Sequence, residues 1–251
     1  MSGLHSFELA GADGKLIRGD RSMGKDRQIL FITGFLSKRW GNKSKALAQW
    51  CAEQGWGFCC YDVRGFGDSE GRFIDYTLSD WIADARLVLN RLKDGPPITI
   101  VGNSLGGWIA WLMAQEYADI ERLVLIAPAF NMMGLRAQSI APERCHDWHT
   151  AGWMPWDDEP AHRDYPLAWK WVEESRAYWG RSFDRLRPVK TTILHGLQDT
   201  VILPQDSNQF AEQLLARDPS FPIELNLIPG DHRLSSPEHV DRFRRLVIGT
   251  T

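Results

Sequence analysis

Apolar residues fall along this chain in two alternating patterns. Short unbroken runs occur at 28–33 (QILFIT), 98–101 and 123–127 (LVLIA), and further strands are predicted at 56–63 (WGFCCYDV), 191–195 and 223–228. A continuous apolar run bounded by turn residues predicts a strand buried on both faces, as in a parallel sheet. Between the runs, apolar positions recur at helical spacing. Residues 43–54 carry Ala46, Leu47, Trp50 and Cys51 and stop at Gly55. Residues 78–92 carry Leu78, Trp81, Ile82, Ala85, Val88, Leu89 and Leu92 behind Thr77, a good N-cap with Asp80 three positions on. Further helices are predicted after Gly107, at 205–216 and at 237–247, and two alternating runs around Gly11-Ala12-Asp13-Gly14 predict a hairpin over 7–20.

Strands alternating with helices predict an α/β fold with a mostly parallel central sheet and helices on both faces. Right-handed crossovers place the strand C-terminal ends along one edge, where ligands bind in open α/β sheets. The alternation lapses from Ala129 to Arg187, apart from a predicted helix over 166–179. The expected organisation is a core of residues 1–128 and 188–251 with an inserted lid of residues 129–187. The lid's aromatic content argues against disorder.

The candidate chemistry centres on residues 98–114, ITIVGNSLGGWIAWLMA, which reads as strand, sharp turn, helix. Gly102-x-Ser104-x-Gly106 fits a nucleophile elbow, with the serine at a strained turn and glycines that let strand and helix pass closely. A helix starting there turns its positive end and free amides toward an oxygen that must carry negative charge.

A serine hydroxyl needs a base to take its proton and a third group to orient that base. Of seven histidines, His232 lies in the loop after the last strand, at the same sheet edge as Ser104, and is the candidate base. His5 and His239 are terminal or on the solvent side of a helix, His146, His149 and His162 fall in the lid, and His195 is expected to be a packed, hydrogen-bonded imidazole. Asp199, after the preceding strand, is the candidate orienting acid; its alternative role is to cap the following helix. Asp231 adjoins the base in sequence, and Asp62 is expected to hold its own loop through Arg64. The order Ser104, Asp199, His232 is the Ser, acid, His order of α/β-hydrolases. The amides of Leu105 and Phe35 are the candidate oxyanion donors, each worth about 2.7 to 4 kcal/mol of barrier in such sites.

The chain resembles the α/β-hydrolase-fold serine hydrolases from end to end. It resembles more closely the branch that holds mitochondrial palmitoyl-protein thioesterase and acyl-glucuronide esterase activity. The likeness rests on Gly34-Phe35 with Lys45-Ala46-Leu47-Ala48, Tyr61-Asp62-x-Arg64-Gly65-x-Gly67-x-Ser69-x-Gly71, Ser104-Leu105-Gly106-Gly107-Trp108, His195-Gly196-x-x-Asp199 and Asp231-His232-Arg233. The resemblance implies Ser104 as nucleophile, Asp199 as acid, His232 as base, and Phe35 and Leu105 as oxyanion donors. The lid, with Trp148, Trp153, Trp156, Trp169, Trp171 and Trp179, departs from that branch.

Composition narrows the classes. With 251 residues, 43% hydrophobic, 24% charged and a net charge of −3, the chain offers no basic footprint for nucleic acid. No run is long and apolar enough for stable membrane insertion, and the first residues lack a basic stretch followed by an apolar one, so a cytoplasmic location is expected. The four cysteines do not form metal-ligand spacing, and Cys145-His146-Asp147-Trp148-His149 has no second cluster to complete a zinc site. No cofactor is expected. The partner is a small-molecule ester or thioester, including an acyl group carried on a protein, and the aromatic lid favours an apolar acyl group. The alternatives are amide or carbon–carbon bond hydrolysis, acyl transfer, or a non-catalytic binding module on the same fold.

Overall fold

The computed structural model describes residues 3–157 and 160–248. An edge hairpin, β1 (His5–Ala10) and β2 (Leu16–Ser22), opens the chain. The alternating unit follows: β3 (Gln28–Ile32), α1 (Asn42–Gln54), β4 (Gly57–Tyr61), α2 (Leu78–Leu92), β5 (Ile98–Asn103), α3 (Leu105–Glu116) and β6 (Ile120–Ile126). An insertion then holds α4 (Met132–Ser139), α5 (Pro142–Ala151), β7 (Trp153–Met154), β8 (Leu167–Ala168) and α6 (Lys170–Arg181). The chain closes with β9 (Lys190–Gly196), α7 (Pro204–Arg217), β10 (Ile223–Ile228) and α8 (Pro237–Ile248).

Eight strands form one sheet in the order β1-β2-β4-β3-β5-β6-β9-β10. It is parallel from β4 to β10 and antiparallel where β2 meets β1 and β4. This is the mostly parallel sheet expected from the unbroken apolar runs. The two-residue period of a strand divides each run between two faces. Ile29, Phe31, Phe58, Cys60, Val101, Val124, Ile126 and Leu194 meet α1 and α8 on one face. Leu30, Ile32, Cys59, Tyr61, Ile100, Leu123, Leu125 and Ile193 meet α2, α3 and α7 on the other.

Local signals set the helix ends. Gly55 adopts φ 70° as the left-handed cap of α1, and Thr77 with Asp80 forms a capping box on α2. Every residue of α3 from Leu105 to Ala114 is buried, so the helix is covered on both sides. The sheet lies against one side, and Trp108 Nε1 and Trp111 Nε1 donate on the other to Ser182 Oγ (3.2 Å) and Ser182 O (2.9 Å).

The predicted helix over 166–179 is corrected to Lys170–Arg181. Leu167–Ala168 instead pairs antiparallel with Trp153–Met154, and the Trp169 amide donates to Gly152 O. These extended bonds delay the helix start. Two further helices, α4 and α5, lie where the sequence pattern indicated irregular chain. Trp148 and Trp171 are fully buried structural residues, whereas Trp153 is exposed. Cys51, Cys59 and Cys60 are buried free thiols.

Candidate active site

Ser104 occupies the turn between β5 and α3 with φ 52° and ψ −121°, a region a non-glycine residue adopts only under constraint. Its backbone is tied on both sides: Ser104 N donates to Ile126 O (2.8 Å), and Ser104 O accepts from Gly107 N (2.8 Å) and Ala129 N (3.0 Å). The glycines of the motif allow the close approach. A Cβ on Gly106 would lie 2.3 Å from Ile32 O, and one on Gly102 would lie 2.5 Å from Gly106 O. Gly34 packs against the serine from the loop after β3, with its Cβ position 3.0 Å from Ser104 Cβ.

Three residues predicted from three separate loops form one hydrogen-bonded chain. His232 Nδ1 lies 2.7 Å from Asp199 Oδ2, and His232 Nε2 lies 3.2 Å from Ser104 Oγ. The carboxylate only accepts, so Nδ1 carries the proton and Nε2 presents its lone pair to the serine hydroxyl. Asp199 does not cap α7. Its Oδ1 accepts from the Val201 and Ile202 amides at 2.9 Å each, which folds its own loop, while Oδ2 faces the two imidazoles of His232 and His195. Burial works against ionisation of Asp199. Hydrogen bonds from His195, His232 and the Ile202 amide, with the electrostatic attraction of the His232 ring, outweigh it and hold the carboxyl well below the usual carboxylate range.

The loops after β9 and β10 are joined to each other. Gln198 N donates to Gly230 O (2.9 Å), the Gln198 side chain accepts from Gly230 N, and a Cβ on Gly196 would fall 2.4 Å from Gly230 O. Asp231 turns away from the ring and caps its own loop through the Arg233 and Leu234 amides, both at 3.1 Å. His239 donates to Pro229 O at 2.8 Å and braces the same loop.

The Leu105 amide opens α3, where no preceding helical turn can take it up. Phe35 follows Gly34 in a turn closed by Ser37 N to Gly34 O (3.2 Å). Among the described residues, neither the Phe35 nor the Leu105 amide donates to a loop or turn carbonyl.

One expectation is overturned. Asp62 does not hold its loop through Arg64: it accepts from Arg39 N (2.6 Å), from the Arg39 guanidinium and from Asp68 N (3.0 Å). Arg64 is bound instead by Asp84 (2.6 Å) and Asp13 (2.9 Å). Asp84 is fully buried on α2 and takes both the Arg64 side chain and its amide, which leaves that guanidinium no reach toward Asp62.

His195 is buried as expected, but its contact with Asp199 was legible only as a four-residue spacing across the end of β9. Arg39, which binds Asp20 (2.7 Å), Asp62 and Asp68 (2.8 Å), carried no sequence signal. The histidines of the insertion make local contacts: His162 pairs with Asp157, His149 packs against Trp169, and His146 lies 3.5 Å from Thr150 Oγ1. Among the described residues no group of three or more His, Cys, Asp or Glu side chains is placed to hold a metal, and no helix is long and apolar enough to cross a membrane.

Comparison with known proteins agrees with this architecture. The chain is 26% identical over 218 residues to the palmitoyl-protein thioesterase ABHD10, mitochondrial, of Bos taurus, an alignment covering 85% of this chain and 69% of that protein. The solved structure of mouse alpha/beta hydrolase domain-containing protein 10 superposes with a TM-score of 0.84 at 24% identity, covering 98% of this chain and 97% of that one. Est1E from Butyrivibrio proteoclasticus, solved with ferulic acid bound, superposes with a TM-score of 0.77 at 22% identity over 97% of this chain and all (100%) of that one. The fold is therefore that of the α/β-hydrolases, with a likeness to the ABHD10 branch. The profile of one family, Hydrolase_4, described as serine aminopeptidase S33, matches residues 25–152, and the chain belongs to that family.

Proposed function

We propose that the chain is a serine hydrolase that cleaves carboxylic esters or thioesters through an acyl-enzyme, with Ser104 as nucleophile, His232 as base and Asp199 as orienting acid. The observation that carries this reading is the hydrogen-bonded chain from Ser104 Oγ through both nitrogens of His232 to Asp199 Oδ2. His232 Nε2 takes the hydroxyl proton as Oγ attacks the carbonyl carbon, and the Asp199 carboxylate stabilises the imidazolium that forms. The amides of Phe35 and Leu105 receive the oxyanion at the positive end of α3. His232 then delivers its proton to the departing alcohol or thiol. A water activated by the same imidazole cleaves the acyl-enzyme and restores Ser104.

Residues 129–187 act as a lid in this reading, and its aromatic residues favour an apolar acyl group. The name of the bovine relative supports an acyl thioester, and the ferulic acid bound to Est1E supports an aromatic acyl group. A second reading, amide cleavage, has the family description of serine aminopeptidase in its favour.

The test is fluorophosphonate labelling of wild type beside Ser104→Ala, followed by rates on p-nitrophenyl esters, acyl thioesters and aminoacyl anilides. Labelling that vanishes with Ser104 and turnover of esters or thioesters support the proposal. Turnover of anilides alone moves the assignment to amides, and an unlabelled, inactive wild type favours a binding module.

A further inference from the structure

The turn that carries the Phe35 amide is strained. Leu36, its third residue, has φ 50°, where glycine is the favoured residue. Such a conformation persists only where the surroundings hold it. Arg39 anchors the downstream end through Asp20, Asp62 and Asp68. The Phe35 ring is held by a cage of four aromatic side chains. Phe73, Trp81 and Trp171 approach it at centroid distances of 5.6, 5.9 and 5.7 Å. Two of these are themselves fixed, since Trp81 Nε1 donates to Arg64 O (3.0 Å) and Trp171 Nε1 donates to Tyr76 O (3.1 Å).

The fourth wall differs. Trp156, between β7 and β8 of the insertion, makes the shortest ring contact with Phe35, at 4.9 Å. Trp156 is half-buried, and α4 of the same insertion holds it: the Arg136 guanidinium lies 4.4 Å over its ring and Arg136 Nη2 donates to its carbonyl at 2.5 Å. We propose that Trp156, steadied by Arg136, is a positioning residue that seats the Phe35 turn and so couples the insertion to the oxyanion site. The proposal rests on the reading of the Phe35 amide as an oxyanion donor. Displacement of Trp156 would open one wall of the cage and let the strained turn relax. The loss would fall on the transition state, in which the oxyanion exists, and not on the bound ester.

The test compares wild type, Trp156→Ala and Trp156→Phe on p-nitrophenyl acetate, together with inhibition by a trifluoromethyl ketone, which forms a tetrahedral oxyanion adduct on an active serine. Trp156→Ala is expected to lower kcat about ten- to hundredfold with KM within about threefold, and to weaken the ketone by the same factor. Trp156→Phe is expected to recover most of both. The proposal is overturned if kcat and ketone affinity stay at wild-type values, if only KM rises, or if kcat falls while ketone affinity does not. Should Trp156→Ala fail to fold, Arg136→Met decides: it is expected to shift both quantities in the same direction by a smaller factor, and wild-type values overturn the proposal. Ser104→Ala and fluorophosphonate labelling run alongside. A labelled, Ser104-dependent enzyme indifferent to Trp156 overturns the coupling alone, whereas an active Ser104→Ala enzyme overturns the serine mechanism beneath it.

Discussion

His195 Nε2 lies 3.1 Å from Asp199 Oδ2, the oxygen that also takes the 2.7 Å hydrogen bond from His232 Nδ1. The same Nε2 faces Ile202 O at 3.0 Å, so it carries a proton, and Nδ1 is 2.8 Å from Ser207 Oγ. With the Val201 and Ile202 amides on Oδ1, the carboxylate is held by four donors and cannot rotate away from His232. His195→Phe keeps the volume but leaves the Ser207 hydroxyl and the Ile202 carbonyl without this partner. It is expected to cost about 1–3 kcal/mol of stability and to slow kcat about tenfold, read from denaturant melts and ester turnover. A stable variant with unchanged turnover would contradict this role.

Asp199→Asn removes the anion that fixes the His232 tautomer, and kcat is expected to fall by about three to four orders of magnitude. Asp62→Asn weakens the Arg39 anchor of the loop after β3 and should cost stability while retaining far more activity. The paired kcat values check this, and the reverse ranking would move the acid to Asp62.

Ser104→Ala is expected to abolish turnover with the melting temperature nearly unchanged, because the 6% exposed side chain contributes one hydrogen bond and little packing. Ser104→Gly should instead raise stability by about 1 kcal/mol, since glycine adopts positive φ without strain. A fall in the glycine variant's melting temperature would show that the elbow is not strained.

The depressed carboxyl of Asp199 ties stability to pH. A carboxyl whose folded pKa lies below its unfolded value stabilises fully above the unfolded value, near pH 4, and this contribution is lost as pH falls toward the folded one. The stability gap between wild type and Asp199→Asn is therefore expected to be widest near pH 7 and to narrow below about pH 4. Urea unfolding at both pH values measures it, and a gap that stays constant to pH 3 would rule out this linkage.

Much of the fold was legible because the signals are local. The unbroken runs at 28–33 and 98–101 became β3 and β5, and Gly55 and Thr77 ended and began helices through backbone geometry that depends on a few adjacent residues. The insertion was less legible. Its helices α4 and α5 lack a wide apolar stripe, and β8 forms only because Trp153–Met154 lies beside it. Pairing of that kind is invisible in a linear pattern.

The site divides along the same line. The sequence by itself determined which residues could do the chemistry: glycines around Ser104, and Asp199 and His232 just after strands, each in a loop that parallel topology carries to one edge. Only the tertiary structure decided their partners. Asp62 could reach Arg64 or Arg39 by chain position, and the buried Asp84 on α2 settled it by taking Arg64. Trp156 met Phe35 through a contact set by packing between elements rather than by spacing within one. Backbone preference acts over a few residues and can be read from them, whereas the choice among competing charged and aromatic partners is made by distance and burial, which exist only once the chain is folded.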